Sequence, residues 1–435
     1  MRNTLSTLAT FAEIRYRRFR DRDHLLAWQA GQVERFLRRM LPKSAFYRDY
    51  SGGRPVTEWR EFPIVDKALM MVNFDRLNTV GLTLHEAFEA SLQAEASRDF
   101  SPTVRGITVG LSSGTSGNRG VFIASAAERA RWAGAAIAKI LPYDQTLLTP
   151  QRIAFFLRAN STLYESVGGR HYRFAFFDLM TPLADHIRRL NALQPTILVA
   201  PPSLLRMLAE AQAARELMIQ PRKVVSVAEV LEPVDAAIIA AAFGEPVHQV
   251  YQCTEGFLGS TCRYGTLHLH EDIVAIQRER LDARRFIPII TDFNRTSQPI
   301  IRYRLNDVLT ERETRCPCGS PLLALEQVAG RADDVFILPN GGRLFPDFVR
   351  RAVMVGAPQA TAYRVVQAAP DQITVALAVD AALREAAERA IVHELRAAIR
   401  QAGEDADAVQ ISFGGEANPP AGMTKLKRVV RSTPS

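Results

Sequence analysis

The period of apolar positions changes along this chain, and each change marks an element. Over residues 1–50, Leu25, Leu26, Trp28, Val33, Phe36, Leu37 and Met40 recur at roughly helical spacing, which predicts helices. The middle alternates short β-branched runs with amphipathic stretches: "RIAFFLRA" at 152–159, "PTILVAPPSLLRMLAEA" at 195–211, "KVVSVAEV" at 223–230, "AAIIAAAFG" at 236–244 and "PVHQVYQCTEG" at 246–256. Strands joined by helical crossovers imply parallel pairing in an α/β sheet. After Gly330 come "DDVFIL", a "PNGGR" turn, a helix near 346–355, "ATAYRVVQAA", "DQITVALAVD" and a long helix from 381 to 402. That order predicts a small α+β domain, so the expected division is 1–329 and 330–435.

Length agrees, because 435 residues exceed the roughly 250–300 that one core usually spans. No apolar run approaches the ~18 residues of a membrane span. The first residues mix arginines with Glu13, Asp21 and Asp23 and lack the apolar core of a secretory signal, so a cytoplasmic protein is expected. A net charge of +8 raises nucleic acid as a partner. The arginines are scattered, however, and the densest cluster (Arg15, Arg17, Arg18, Arg20, Arg22) reads as a solvated helix face. The reading is therefore no nucleic acid and no membrane.

Candidate chemistry begins with "GLSSGTSGNRG" at 110–120, which follows "ITV" and precedes "VFIAS". Such a turn exposes backbone N–H groups, and its hydroxyls add donors, which suits a polyphosphate. The same stretch also reads as an ordinary surface hairpin, and it lacks the G-x-x-x-x-G-K-[ST] pattern of a Walker loop. Glu255 directly follows a predicted strand, at the carboxyl edge where α/β sheets bind ligands. Lysine is scarce: six against 48 arginines, with Lys425 and Lys427 both near the end.

Five segments occur in a telling order: "SSGTSG" at 112–117, "YQCTEG" at 251–256, "IRYRLNDV" at 301–308, "GRADDVFILPNGGRLFP" at 330–346 and "TKLKRVVR" at 424–431. The set resembles the adenylate-forming superfamily of acyl-CoA synthetases, peptide-synthetase adenylation domains and luciferases. "SAFYRDY" at 44–50, "FPIVDKALM" at 62–70 and "GRLFP" at 342–346 resemble its phenylacetate-CoA ligase branch, including relatives that adenylylate a deazaflavin coenzyme. The resemblance implies a large N-terminal α/β domain with mixed sheets and a small mobile C-terminal α+β lid. It implies that Ser112, Ser113, Gly114, Thr115, Ser116 and Gly117 hold the β- and γ-phosphates of ATP. Ala228 and Glu229 would line adenine through their backbone, Tyr251 would stack on it, and Thr254 would touch the α-phosphate. Glu255 would hold Mg²⁺, Asp307 the ribose hydroxyls and Arg331 the ribose or phosphate side, with Asp333 at the hinge. Lys425 would be the catalytic cation, with Lys427 its competitor. The loop departs from the pattern in carrying Asn118, Arg119 and Gly120 where relatives have a lysine, and Arg119 is the candidate replacement.

Cys262 and His268 form C-x5-H, and Cys316 and Cys318 form "CPCG". Three thiolates and an imidazole make a closed tetrahedral Zn²⁺ set, structural in role; metal-bearing members of that branch have similar spacing. Four reduced core cysteines remain the alternative, as does His270 in place of His268. Cys253 reads as a packing residue.

The expected activity is ATP-dependent adenylation of a carboxylic acid, with transfer to a thiol: coenzyme A first, a carrier-protein phosphopantetheine second. Phe155, Phe156, Tyr164, Phe174, Phe176 and Phe177 point to an aryl acid if they line the pocket rather than the core. The alternatives are an adenylyltransferase acting on a small-molecule hydroxyl and a nucleotide binder without turnover. Oligomeric state stays open, a homodimer included.

Overall fold

The computed structural model describes residues 2–99, 102–112, 119–142, 149–157, 172–417 and 427–432. The chain forms two compact units, Met1–Leu305 with Glu311–Gln327, and Asn306–Thr310 with Val328–Ser435. The short segment Asn306–Thr310 thus joins the second unit ahead of the main crossing near Val328.

In the first unit the strands Tyr172–Asp178, Gln151–Leu157, Ile197–Ala200, Lys223–Val227 and Val247–Cys253 lie side by side in that order, all parallel. Gly256–Thr261 and Leu267–Leu269 then continue the sheet antiparallel. Ile197–Ala200 is buried at every position, as expected for a strand with helices on both faces. The helix Pro202–Ala213 buries Leu204, Leu205 and Leu208, and Pro233–Phe243 stops at Gly244 in the left-handed conformation, φ 71°. A second antiparallel group, Ala275–Arg280, Arg285–Asp292 and Ile300–Arg304, packs under the helix Arg22–Met40 through Val33, Phe36, Ala275, Ile290 and Ile301. The hairpin Ile107–Leu111 with Val121–Ser125 is a separate two-stranded sheet.

The helix Arg2–Tyr16 packs closely on Ala126–Ile140, where a Cβ on Gly134 would stand 2.4 Å from Thr7 O. Here the arginine cluster departs from expectation. Arg15 donates to the carbonyls of Ala138, Leu141 and Pro142 at 3.0, 3.2 and 2.6 Å, and Arg17 to that of Asp272 at 2.7 Å. Arg22 pairs with the buried carboxylate of Glu271. Three of the five are therefore tertiary ties; Arg18 and Arg20 alone are exposed. Helix C-terminal carbonyls and buried carboxylates draw these guanidiniums inward.

The second unit has a four-stranded sheet in the order Gln410–Phe413, Gln372–Ala378, Ala362–Ala369, Val429–Arg431. The helices Pro346–Gly356 and Ala381–Gln401 cover it with Val349, Val353, Ile391, Leu395 and Ile399. Among the described residues, no helix is long and apolar enough to cross a membrane.

Candidate functional site

Two neighbouring parallel strands, Lys223–Val227 and Val247–Cys253, end on one edge of the sheet. Ala228, the first residue past one of them, has φ 72°, a region that a non-glycine residue enters at a cost and that recurs at ligand sites. The neighbouring carboxylate of Glu229 accepts from Ser203 N at 3.3 Å, so the helix N-terminus engages it.

Past the other strand, Thr254 and Glu255 line an open cavity together with Lys67, Ser112, Gly120, Arg295 and Gln298. Three sequence candidates from distant segments (Ser112, Thr254, Glu255) thus share one space. Ser112 Oγ accepts from Gly120 N at 2.8 Å and from Lys67 Nζ at 3.1 Å. A Cβ on Gly120 would meet Lys67 Cε at 2.8 Å, so the lysine can approach because this residue has no side chain. Arg119 is drawn to Glu95 and to the Ser112 carbonyl instead. Lys67, which sequence reading passed over, is thus a second cation beside the stem of the glycine-rich turn, along with Arg119. Residues 113–118, with Ser113, Gly114, Thr115, Ser116 and Gly117, lie outside the described residues.

Lys67 reaches this place because residues 62–67 dock on the strand Ile300–Arg304. Val65 N donates to Arg302 O at 3.0 Å, and Arg304 N to Val65 O at 2.8 Å. The same strand carries Tyr303, whose Oη donates to Glu255 Oε1 at 3.0 Å. Burial, reinforced by the Glu255 charge, pushes the Tyr303 phenol far above its ordinary range, so it remains a donor. A carboxylate held this way at the rim of an open cavity suits a hard cation that takes oxygen ligands. Tyr251 and Cys253 pack against the core around Leu258 and Ile290.

In the second unit, Asp307 opens the strand Asp307–Glu311 and Arg331 closes Ala324–Arg331. Asn306 Nδ2 donates to Asp333 Oδ2. Lys427 Nζ lies 3.3 Å from Asp334 Oδ2. Lys425 lies outside the described residues.

The ligand atoms of Cys262, His268, Cys316 and Cys318 all fall within 4.8 Å of one another. Cys262 Sγ is 3.6 Å from Cys316 Sγ, and Cys318 Sγ is 3.4 Å from His268 Nε2. A tetrahedron with metal–sulfur bonds of about 2.3 Å has sulfur–sulfur edges of about 3.8 Å. His268 Nδ1 meets Leu322 O at 3.0 Å, which fixes the tautomer whose Nε2 is free to ligate. The donor set fits zinc. His270 does not join it: its Nε2 meets Ser260 Oγ at 2.8 Å and its Nδ1 meets Phe257 O at 3.2 Å.

No protein-family model matches the chain, and no curated protein matches it either. Solved structures do. The chain superposes on 2-hydroxyisobutyryl-CoA ligase in complex with 2-HIB-AMP with a TM-score of 0.67, at 18% identity over 93% of this chain and 89% of that one. The same ligase in an open conformation, with 2-HIB-AMP and CoA, gives 0.62 at 18% identity over 94% and 92%. The GH3.15 acyl acid amido synthetase gives 0.56 at 12% identity over 92% and 90%. The shared feature is the fold of the adenylate-forming enzymes.

Proposed function

We propose that this chain, which has the fold of the adenylate-forming enzymes, is an ATP-dependent ligase that activates a carboxylic acid as an acyl-adenylate and passes the acyl group to a thiol. The supporting observation is the cavity that gathers Lys67, Ser112, Thr254 and Glu255 at the carboxyl edge of the parallel sheet. A cation, a hydroxyl at the stem of a glycine-rich turn and a carboxylate are what a metal-bound triphosphate requires.

The acid's carboxylate attacks the α-phosphorus, the bond to the bridging oxygen breaks, and pyrophosphate leaves. Lys67 and the 112–117 turn hold the β- and γ-phosphates, and Thr254 holds the α-phosphate. Glu255 would hold Mg²⁺, which when bound would offset charge on the phosphate oxygens. Tyr251 and the backbone of Ala228 and Glu229 flank adenine, while Asp307 and Arg331 hold the ribose. Lys425 neutralises charge that develops between the attacking carboxylate and the α-phosphate. The second unit, 330–435 in the sequence reading, serves as the lid that then withdraws Lys425, and the thiol of coenzyme A displaces AMP. Zinc at Cys262, His268, Cys316 and Cys318 is structural, because a four-ligand set leaves no position open.

Phe156 and Phe177 stack within the core, at 4.6 Å between centroids, beside buried Leu198 and Leu205. They are packing residues, whereas Phe155 and Phe174 belong to the cluster on the other side of the sheet with Trp132, Val227 and Phe257. That second group is the candidate aryl-acid wall. Tyr164 lies outside the described residues.

The test is acid-dependent exchange of labelled pyrophosphate into ATP, across aryl and aliphatic acids with no thiol present. Exchange with one acid class supports the adenylation step and names the substrate; silence with every acid, alongside ATP binding, defeats it.

A further inference from the structure

The polar run "DFNRTSQ" at 292–298 has the composition of a surface turn, yet it is gripped from several sides. Glu128 Oε1 accepts from Ser297 N at 2.8 Å and also from Thr296 N, and its Oε2 accepts from Ser297 Oγ. Thr79 Oγ1 donates to Thr296 O at 2.7 Å. Gln298, 1% exposed, accepts from Ile123 N at 3.0 Å and donates to Val121 O at 3.1 Å. Arg295 donates Nη1 to Thr254 O at 2.8 Å, and Nη2 to Gln298 Oε1 at 3.1 Å and Ile123 O at 3.4 Å.

These bonds answer a mechanical problem. The glycine-rich turn is borne by the hairpin Ile107–Leu111 with Val121–Ser125, a sheet of its own. Thr254 and Glu255 follow a strand of the large sheet. Among the described residues no backbone ladder joins the two arms, and side chains bridge them. Arg295 touches both with one guanidinium: one nitrogen on the Thr254 carbonyl, the other on Ile123 and on the glutamine that grips the same strand. A planar fork holds two acceptors at fixed spacing, which an ammonium on a flexible stem does not.

We infer that Arg295, seated by Gln298, is a positioning residue that fixes the distance between the hairpin Ile107–Leu111 with Val121–Ser125 and the Thr254–Glu255 turn. It lets one triphosphate be held at both ends. The inference rests on the nucleotide reading above. It assigns Arg295 no contact with the reacting atoms.

The experiment compares ATP and AMP binding by calorimetry in the full-length wild type, Arg295→Ala and Arg295→Lys. ATP spans both arms, whereas AMP needs only the Thr254 side. Displacing one arm by about 1 Å is expected to weaken ATP by about 10-fold or more and AMP by less than about 3-fold in both variants. Guanidinium at tens of millimolar, supplied to Arg295→Ala, should recover part of the ATP affinity. Equal losses for ATP and AMP, or wild-type ATP affinity in Arg295→Lys, overturn the inference. Should Arg295→Ala fail to fold, Arg295→Lys carries the test, since it keeps the charge and most of the volume. A wild type that binds neither nucleotide defeats the nucleotide reading itself, which separates that failure from failure of the clasp.

Discussion

Lys427 Nζ sits 3.3 Å from Asp334 Oδ2, and the carboxylate is the more buried partner, at 10% side-chain exposure against 30%. Burial pushes the Asp334 pKa up, and Lys427 draws it back toward ionisation. Lys427 is thereby a tie within the second unit, and Lys425 is left as the catalytic candidate. Lys427→Ala should lower stability by about 1–2 kcal/mol, a buried-pair cost discounted for partial exposure. It should leave pyrophosphate exchange largely intact. Lys425→Ala should cut exchange by roughly 10²–10³-fold with ATP binding preserved. The reverse pattern would move the catalytic role two residues along the chain.

The Tyr303 phenol and the Glu255 carboxylate form the second telling pair. Tyr303→Phe removes only the hydroxyl that holds Glu255 Oε1. If that carboxylate binds Mg²⁺, the concentration giving half-maximal exchange should rise by about 10–100-fold, the usual effect of removing a partner that orients a metal ligand. Mn²⁺ binding in the presence of ATP, followed by electron paramagnetic resonance, checks the same shift without turnover. An unchanged metal requirement would remove Glu255 from the metal site.

Metal analysis should find about one zinc per chain. Cys318→Ser, or prolonged chelation, should lower the melting temperature by roughly 5–10 °C, because the ligands join a loop at Cys316 to a strand segment at Cys262 and His268. A fully folded preparation without metal would defeat the assignment.

Asp292 provides a pH dependence. Burial raises its pKa from 3.8 to about 6, against the hydrogen bond from Asn294 N and the nearby Arg295 charge. A carboxyl whose folded pKa lies above its unfolded value stabilises the fold below about 4, and that contribution is lost as pH rises through about 6. Asp292→Asn should therefore gain stability over wild type by roughly 1–3 kcal/mol above pH 6, with the difference shrinking toward pH 4. Urea midpoints of both proteins across that range measure it, and a gap that does not vary with pH contradicts it.

The parallel strands were legible because "ILVA" is apolar throughout and "KVVSV" is dominated by valine, as suits strands covered on both faces. The capping box of Ser125 and Glu128 is a local signal of a helix start that the sequence reading did not use. What stayed hidden was partnership across sequence. Lys67 and Ser112 are 45 residues apart, and nothing local in "FPIVDK" says that it docks on "IIRYR". The sequence reading passed over the stretch 292–298, whose composition is polar, and only tertiary bonding buries Gln298. His268 and His270 were indistinguishable by spacing; the strand Leu267–Leu269 ends between them, and the chain turns the second toward Ser260. The arginine cluster misled for a related reason: charge predicts exposure until a helix C-terminus or a buried carboxylate lies within reach.

Lysine usage has a practical consequence for labelling chemistry. Lys67, Lys139, Lys223 and Lys427 each hold a named partner, whereas Lys43 is exposed. Lys223 is shielded by burial, at 7% exposure, even though burial and the nearby Arg15 charge pull its pKa down to about 8. A brief pulse of an amine-acylating reagent, read by peptide mass spectrometry, thus meets a nearly silent background with one internal standard at Lys43. Against it, the reactivity of Lys425 can be followed with and without ATP in the same spectrum.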